Sequence, residues 1–130
     1  MGKNILIVDD DEMVLLALEE LLKPEGYHIG AATRGAEALA KMERQVYDLV
    51  LIDVIMPEMD GYELCRRIRL RPEYAETPVI FLTAKSREED RVQGLDAGGN
   101  LYLSKPISPD KLLKIVADAV DRQGNESGSA

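Results

Sequence analysis

Ile5-Leu6-Ile7-Val8-Asp9-Asp10-Asp11 is four apolar residues with no polar break, ended at once by three carboxylates. An unbroken apolar run is the mark of a strand covered on both faces, which predicts a parallel sheet with helices above and below it. The carboxylates then stand at the carboxyl end of that strand, where open α/β sheets bind their ligands. The pattern recurs further along. Leu49-Val50-Leu51-Ile52 meets Asp53, Val79-Ile80-Phe81-Leu82 meets Thr83, and Leu101-Tyr102-Leu103 is followed after one residue by Lys105. If these strands are parallel neighbours, all five polar groups gather at one edge.

Between the apolar runs lie amphipathic stretches, and the chain reads as five strand-helix units. Strands are expected at Asn4 to Val8, Tyr27 to Ala31, Leu49 to Ile52, Val79 to Leu82 and Leu101 to Leu103. The first helix runs from about Glu12 and is stopped by Pro24 and Gly26. Ser86 with Glu89 predicts a capping box for a helix that Gly98 and Gly99 end. The last helix has Ser108 as cap and Pro109 at its first position, with Leu112, Leu113, Ile115, Val116, Ala119 and Val120 as its buried stripe. The folded domain is expected over residues 1–122. Residues 123–130, Gln-Gly-Asn-Glu-Ser-Gly-Ser-Ala, offer no apolar anchor and predict a disordered tail or the start of a linker.

At 130 residues the chain suffices for one core, and no internal repeat is present. Sixteen basic against twenty-four acidic residues give a net charge of −8, which disfavours direct binding to nucleic acid or to an anionic membrane. The lone Cys65 can form no internal disulfide, and no long apolar span or signal-like start is visible. A cytoplasmic location is the expectation.

Each polar feature has a plain reading when taken singly. Asp9-Asp10-Asp11-Glu12 suits an acidic first helical turn, Thr83 a helix start and Lys105 a solvated surface. Asp53 resists this, because a carboxylate at a buried strand costs several kcal/mol unless something compensates it. Taken together, the set has one chemistry. Clustered carboxylates repel one another and become favourable around a divalent cation. An all-oxygen set without histidine or cysteine favours Mg²⁺, which keeps sites open for water and phosphate oxygens. A lysine and a hydroxyl suit a phosphoryl group, and an aspartate can attack phosphorus to hold it as an acyl phosphate.

These residues, with Leu51-Ile52-Asp53-Val54-Ile55-Met56-Pro57-Glu58-Met59-Asp60-Gly61, Leu82-Thr83-Ala84 and Tyr102-Leu103-Ser104-Lys105-Pro106, resemble the receiver domain of two-component response regulators over roughly Lys3 to Arg122. The resemblance implies a flavodoxin-like (βα)5 fold with strand order 2-1-3-4-5. It implies that Asp53 is the phosphoacceptor, supplied by a phosphohistidine on a sensor histidine kinase or a histidine phosphotransfer protein. Asp9, Asp10, Asp53 and the backbone carbonyl of Ile55 would hold Mg²⁺, with Asp10 the more direct contact of the two N-terminal acids. Lys105 would pair with the phosphoryl group, and its bond to Pro106 would be cis. Thr83 and Tyr102 would form a switch, the hydroxyl moving toward the phosphoryl group and the ring turning inward behind it. The plain reading of Tyr102 is a strand aromatic packed on a neighbouring helix. Such a domain assists only its own phosphorylation and dephosphorylation, and passes the signal to a downstream protein or a fused output domain.

The chain departs from the family pattern in places. Asn100-Leu101, after Ala97-Gly98-Gly99, stands where receivers commonly carry two acids that bridge a dimer of winged-helix transcription factors, which puts that dimer in doubt. Ile55 and Lys85 occupy the two positions flanking the phosphoryl group, and the apolar Ile55 offers nothing to orient attacking water, so a phosphorylated state that outlasts that of the fastest regulators is expected. Leu70 to Pro78 makes a longer approach to the fourth strand than in the shortest receivers, and Arg66, Arg67, Arg69 and Arg71 read as a solvated basic face. Two rival functions remain. Asp9-Asp10-Asp11 also suits a phosphatase of the haloacid-dehalogenase type, but Asp110, Asp118 and Asp121 do not build the further acidic pair that such enzymes need. A receiver-shaped scaffold acting without phosphorylation is the other.

Overall fold

The computed structural model describes residues 2–129, with side chains to Asp121. Ten elements alternate along the chain: β1 (Asn4–Val8), α1 (Glu12–Leu22), β2 (His28–Ala32), α2 (Gly35–Arg44), β3 (Leu49–Ile52), α3 (Gly61–Arg69), β4 (Val79–Thr83), α4 (Glu88–Asp96), β5 (Leu101–Ser104) and α5 (Pro109–Ser129). The strands form one sheet in the order β2-β1-β3-β4-β5, every pair parallel. The order reverses at β1, which places the crevice between the ends of β1 and β3.

Alternation within the strands divides the interior into two cores. Leu6, Val8, Val50, Ile52, Val79 and Phe81 face α2, α3 and the end of α4, meeting Ala38, Met42, Tyr62, Leu64, Cys65, Ile68 and Ala97. Ile5, Ile7, Leu49, Leu51, Ile80 and Leu82 face the other way, onto Leu15, Leu18 and Leu22 of α1 and Leu112, Val116 and Val120 of α5. This is why Ile5 to Val8 of β1, Leu49 to Ile52 of β3 and Val79 to Leu82 of β4 include no polar residue: the side chains of each run are covered by helices on both faces of the sheet.

Helix ends follow local chemistry. Asp11 caps α1, its carboxylate accepting from the Met13 amide at 2.9 Å. Gly26 ends the turn after it at φ +96°. Asp60 caps α3 through the Glu63 amide at 2.9 Å, and Ser108 caps α5 through the Lys111 amide at 3.2 Å. The expected Ser86–Glu89 box is displaced by one residue. The Asp90 carboxylate accepts from the Arg87 amide at 3.2 Å, because Asp90 is the acid that turns into the protein. β2 likewise begins and ends one residue later than the sequence suggests. The trace of α5 runs on to Ser129, while the side chains of 122–129 and the whole of Ala130 lie outside the described residues, and with them the expectation of a disordered tail. No helix of the described residues is long and apolar enough to cross a membrane.

Candidate functional site

Register places the carboxylates. Val8 pairs with Ile52, so the residues that follow them, Asp9 and Asp53, emerge side by side at the carboxyl edge. Their backbones are anchored: the Asp53 amide donates to the Val8 carbonyl at 2.9 Å, and the Asp9 amide to the Ala32 carbonyl at 3.1 Å. On the next two strands beyond β3, Thr83 of β4 pairs with Ser104 of β5, and the Lys105 amide donates to the Thr83 carbonyl at 2.9 Å. The Lys105–Pro106 peptide bond is cis, as the family resemblance implies. Lys105 leans over the ends of the intervening strands, so that its ammonium stands 2.7 Å from Asp9 Oδ2 and 3.2 Å from Asp53 Oδ2.

Burial sorts the acidic run. Asp9 is 3% exposed and Asp53 8%, whereas Asp10 and Asp11 are open to solvent. Asp11 is the cap of α1, and its amide donates to Asp9 Oδ1 at 2.9 Å. Asp9 and Asp10 are left for other work. Each offers an oxygen that lies, with one of Asp53, in a set spanning no more than 4.8 Å. Burial raises the Asp9 carboxyl above the usual carboxylate range, against the opposing pull of Lys105 and the Asp11 amide. The Lys105 ammonium loses stability to burial, but its bonds to Asp9 and the charge of Asp53 outweigh that and hold it above the usual lysine value.

Three carboxylates and one ammonium leave two negative charges at this point, the amount that one divalent cation cancels. The donors are all hard oxygens, which suits Mg²⁺ and not zinc. The residues present therefore fit the ion that the sequence predicts. Cys65 offers no competing nucleophile: it is buried on the core-facing side of α3, and burial pushes its thiol up to about 11.

The remaining expected residues are Ile55, Thr83 and Tyr102. Ile55 lies in the loop after β3 with its side chain 53% exposed and its amide donating to Asp53 Oδ1 at 3.3 Å. Thr83 is fully buried at the end of β4 and its hydroxyl accepts from the Lys85 amide at 3.3 Å. Gly61 begins α3 against the Asp53 carbonyl so closely that no side chain fits there, which lets the loop after Asp53 fold back tightly. Tyr102 does not join the carboxylates. Its ring leans from β5 toward α4, where it packs on Phe81 at a centroid distance of 5.7 Å.

Several working residues escaped the sequence reading. Arg69 is no part of a solvated basic face. Its guanidinium donates to the carbonyls of Gly98, Tyr74 and Thr77 and to the Asn100 side chain, at 2.6 to 3.0 Å. Asn100 also accepts from the Val79 amide at 2.8 Å, so the residue that replaces a family acid ties the start of β4 to the loop before β5. Arg66 and Arg67 pair with Glu63, and Arg71 with Glu43. Tyr74, in the longer approach to β4, is buried and its hydroxyl donates to the Gln45 carbonyl at 3.1 Å. Tyr62 carries a buried hydroxyl that meets that of Tyr102 at 3.1 Å. A buried Tyr whose hydroxyl needs a partner is the one general signal that pointed to the last two.

Comparison with known proteins places this geometry. The family model described as the response regulator receiver domain matches residues 5–117. The transcriptional regulatory protein ResD of Bacillus subtilis is 43% identical over 95% of this chain and 50% of its own length. The alkaline phosphatase synthesis transcriptional regulatory protein PhoP of the same organism is 42% identical over 84% of this chain and 45% of its own. This chain thus spans about half of those regulators. Among solved structures, a receiver domain protein of Methanospirillum hungatei superposes with a TM-score of 0.89 at 36% identity, covering 97% of this chain and 99% of that one. The receiver domain of the sensor histidine kinase PA1611 of Pseudomonas aeruginosa, solved with a magnesium ion in its active site cleft, gives 0.85 at 35%, covering 93% and 99%.

Proposed function

Because the chain belongs to the response regulator receiver domain family, with that family's fold and acidic site, we propose that Asp53 is its phosphoacceptor and that Asp9, Asp10, Thr83 and Lys105 serve that one residue. One observation carries the reading: a single ammonium, Lys105, bridges Asp9 and Asp53 from 96 and 52 residues away, at the mouth of a three-carboxylate cluster. A fold has no need to assemble such a cluster for stability, since each buried charge costs more than it returns unless paired.

The transfer joins an Asp53 carboxylate oxygen to phosphorus as the bond from phosphorus to a donor histidine nitrogen breaks, and the imidazole leaves. An acyl phosphate is the product. Lys105 would follow the charge, turning from the Asp53 carboxylate to the new phosphoryl oxygens, and the Thr83 hydroxyl would donate to one of them. Mg²⁺, held by Asp9, Asp10, Asp53 and the Ile55 carbonyl, would supply neutralisation of the developing phosphoryl charge. Asp9 contributes more to that charge balance than to direct contact, since it is already shared with Lys105 and the Asp11 amide. The exposed Asp10 is the freer ligand.

Family membership implies histidine kinases or histidine phosphotransfer proteins as donors. The downstream partner is a protein or an output domain, in this proposal, and neither nucleic acid nor membrane is contacted directly; the charge of −8 supports this. A cytoplasmic site of action is proposed with it, supported by the single, buried, unpaired cysteine. The domain modifies itself and turns over no separate substrate.

The test is intact mass after incubation with a small phosphodonor such as acetyl phosphate, with Mg²⁺ or chelator, on the native chain and on Asp53→Asn. One added phosphoryl group that needs both Mg²⁺ and Asp53 is expected. No addition under any condition would transfer the argument to a scaffold that works without phosphorylation.

A further inference from the structure

Tyr102 occupies a slot shaped for its ring. Gly94 lies in the interior of α4, a place where glycine weakens a helix. A Cβ at that position would stand 2.7 Å from Cδ1 and 3.0 Å from Cε1 of Tyr102, so any other residue would collide with the ring as it sits. Phe81 forms the slot's inner wall, and Phe81 is itself held edge-on by Tyr62 at a centroid distance of 5.6 Å.

The end of the slot is polar. Tyr62 comes from the first turn of α3 and is 2% exposed. Its hydroxyl donates to the Asp90 carbonyl at 3.0 Å. A phenol has one proton, so in the 3.1 Å bond between the two tyrosines Tyr102 is the donor and Tyr62 the acceptor. Burial, and then this bond, hold the Tyr102 phenol protonated far above the usual tyrosine range. Asp90 is in turn fixed by the Lys85 ammonium at 3.4 Å, and the Lys85 amide donates to the Thr83 hydroxyl. A line of bonded groups thus joins Thr83 to the tip of Tyr102 by way of α4 and α3, independent of β5 itself.

We propose that Tyr62 is a positioning residue whose hydroxyl latches the Tyr102 ring inward, against Gly94 and Phe81, before Asp53 is modified. The proposal rests on the reading of Asp53 and Thr83 given above and concerns how that site is regulated. The surface made by α4 and β5 is then preset in the form that phosphorylation has to select in a receiver without the latch, and modification of Asp53 changes the inward population little. Loss of the latch returns the choice to the phosphoryl group. Removing one neutral hydrogen bond shifts the inward to outward ratio by about fivefold.

Nuclear Overhauser contact between the Tyr102 ring protons and the Gly94 α protons reads the orientation directly. It is measured on the full chain without any phosphoryl group and again with Mg²⁺ and beryllofluoride, a phosphoryl mimic, for the native protein and for Tyr62→Phe. The native chain is expected to show the contact without the mimic, Tyr62→Phe to show it weakened, and the mimic to restore it. A native ring with no contact before the mimic is added, an undiminished contact in Tyr62→Phe, or a loss that the mimic does not reverse, would each overturn the latch. Should the amide spectrum show that Tyr62→Phe is unfolded, Tyr102→Phe removes the same bond while leaving the Tyr62 bond to Asp90, and its ring contact decides in the same way. Phosphoryl uptake by intact mass separates the two readings: if Asp53 takes up nothing, the phosphoacceptor reading falls, and the comparison without mimic alone decides the latch.

Discussion

The ammonium of Lys105 stands 2.7 Å from Asp9 and is the nearest positive charge to a carboxylate that the fold has almost wholly removed from water. The same ammonium reaches Asp53 at 3.2 Å. Among the described residues, this lysine is the one cation paired with the buried carboxylates of the site. Lys105→Met is expected to destabilise the metal-free domain by about 1–2 kcal/mol, between the small value of a surface pair and the larger one of a fully buried pair, since Lys105 keeps a quarter of its side chain exposed. Added Mg²⁺ should return most of the loss. Urea denaturation with and without Mg²⁺ checks both statements.

Asp10 gives the opposite result. It is exposed and lies at the cluster without sharing the Lys105 pair, so Asp10→Asn is expected to change metal-free stability by less than about 0.5 kcal/mol. The rise in melting temperature that Mg²⁺ produces in the native chain should largely vanish. A carboxylate that served only as a helix-turn charge would leave that rise intact.

Asp9, Asp10, Asp53, Thr83 and Lys105 could be read in the sequence because each stands at the end of an apolar run or within two residues of it, and parallel strands of similar length must bring such ends to one edge. The two-faced burial of β1, β3 and β4 follows from the same runs, whereas the order of the strands was implied by the family resemblance and not by the runs. What could not be read depends on side-chain direction. Arg69 looks like its neighbours Arg66 and Arg67 in composition, yet on α3 it lies toward the segments before β4 and β5, which between them offer it four acceptors. Asn100 stood out only as a missing acid, and Asp90 could not be told from Glu88 and Glu89. Helical phase, not residue type, separates them.

Arg69 therefore has a measurable structural role. Arg69→Ala leaves the carbonyls of Tyr74, Thr77 and Gly98 without their charged donor, and is expected to cost about 2–3 kcal/mol. Arg66→Ala, whose side chain pairs only with Glu63 in solvent, should cost under about 1 kcal/mol. Mg²⁺ binding should be unchanged in both, because neither arginine touches the carboxylates. Chemical denaturation and a Mg²⁺ titration of the two variants make the comparison.

The raised carboxyl of Asp9 sets a pH dependence with a definite sign. A carboxylate whose folded value lies above its unfolded value takes up its proton more readily in the native state, so the native fold gains, relative to the unfolded chain, as pH falls through that interval. Mg²⁺ competes with that proton. Affinity for Mg²⁺ should begin to fall at a higher pH than an ordinary aspartate would dictate, and Asp9→Asn should bind more weakly but with the onset of the fall moved to lower pH. Titrations of Mg²⁺ at pH values from 7 downward, followed through amide shifts at Asp10 and Asp53, would show it. An onset unchanged by Asp9→Asn would assign the proton to another group.

Gly94 offers the sharpest test of packing because its two effects oppose each other. Alanine is a better helix former than glycine by about 1 kcal/mol in a helix interior. At this position its methyl would meet the Tyr102 ring at 2.7 Å and Phe81 at 3.2 Å, and the ring cannot yield without leaving its slot. Gly94→Ala is expected to destabilise the native chain by about 1–2 kcal/mol, the usual cost of overpacking less the gain in helix propensity. In a Tyr102→Ala background the ring is gone and the sign should reverse, alanine now stabilising by about 0.5 kcal/mol. The double-mutant cycle isolates the contact between residues 94 and 102 from every other effect of either substitution. Additive behaviour would mean that the ring does not fill the slot in solution, whatever the helix itself prefers.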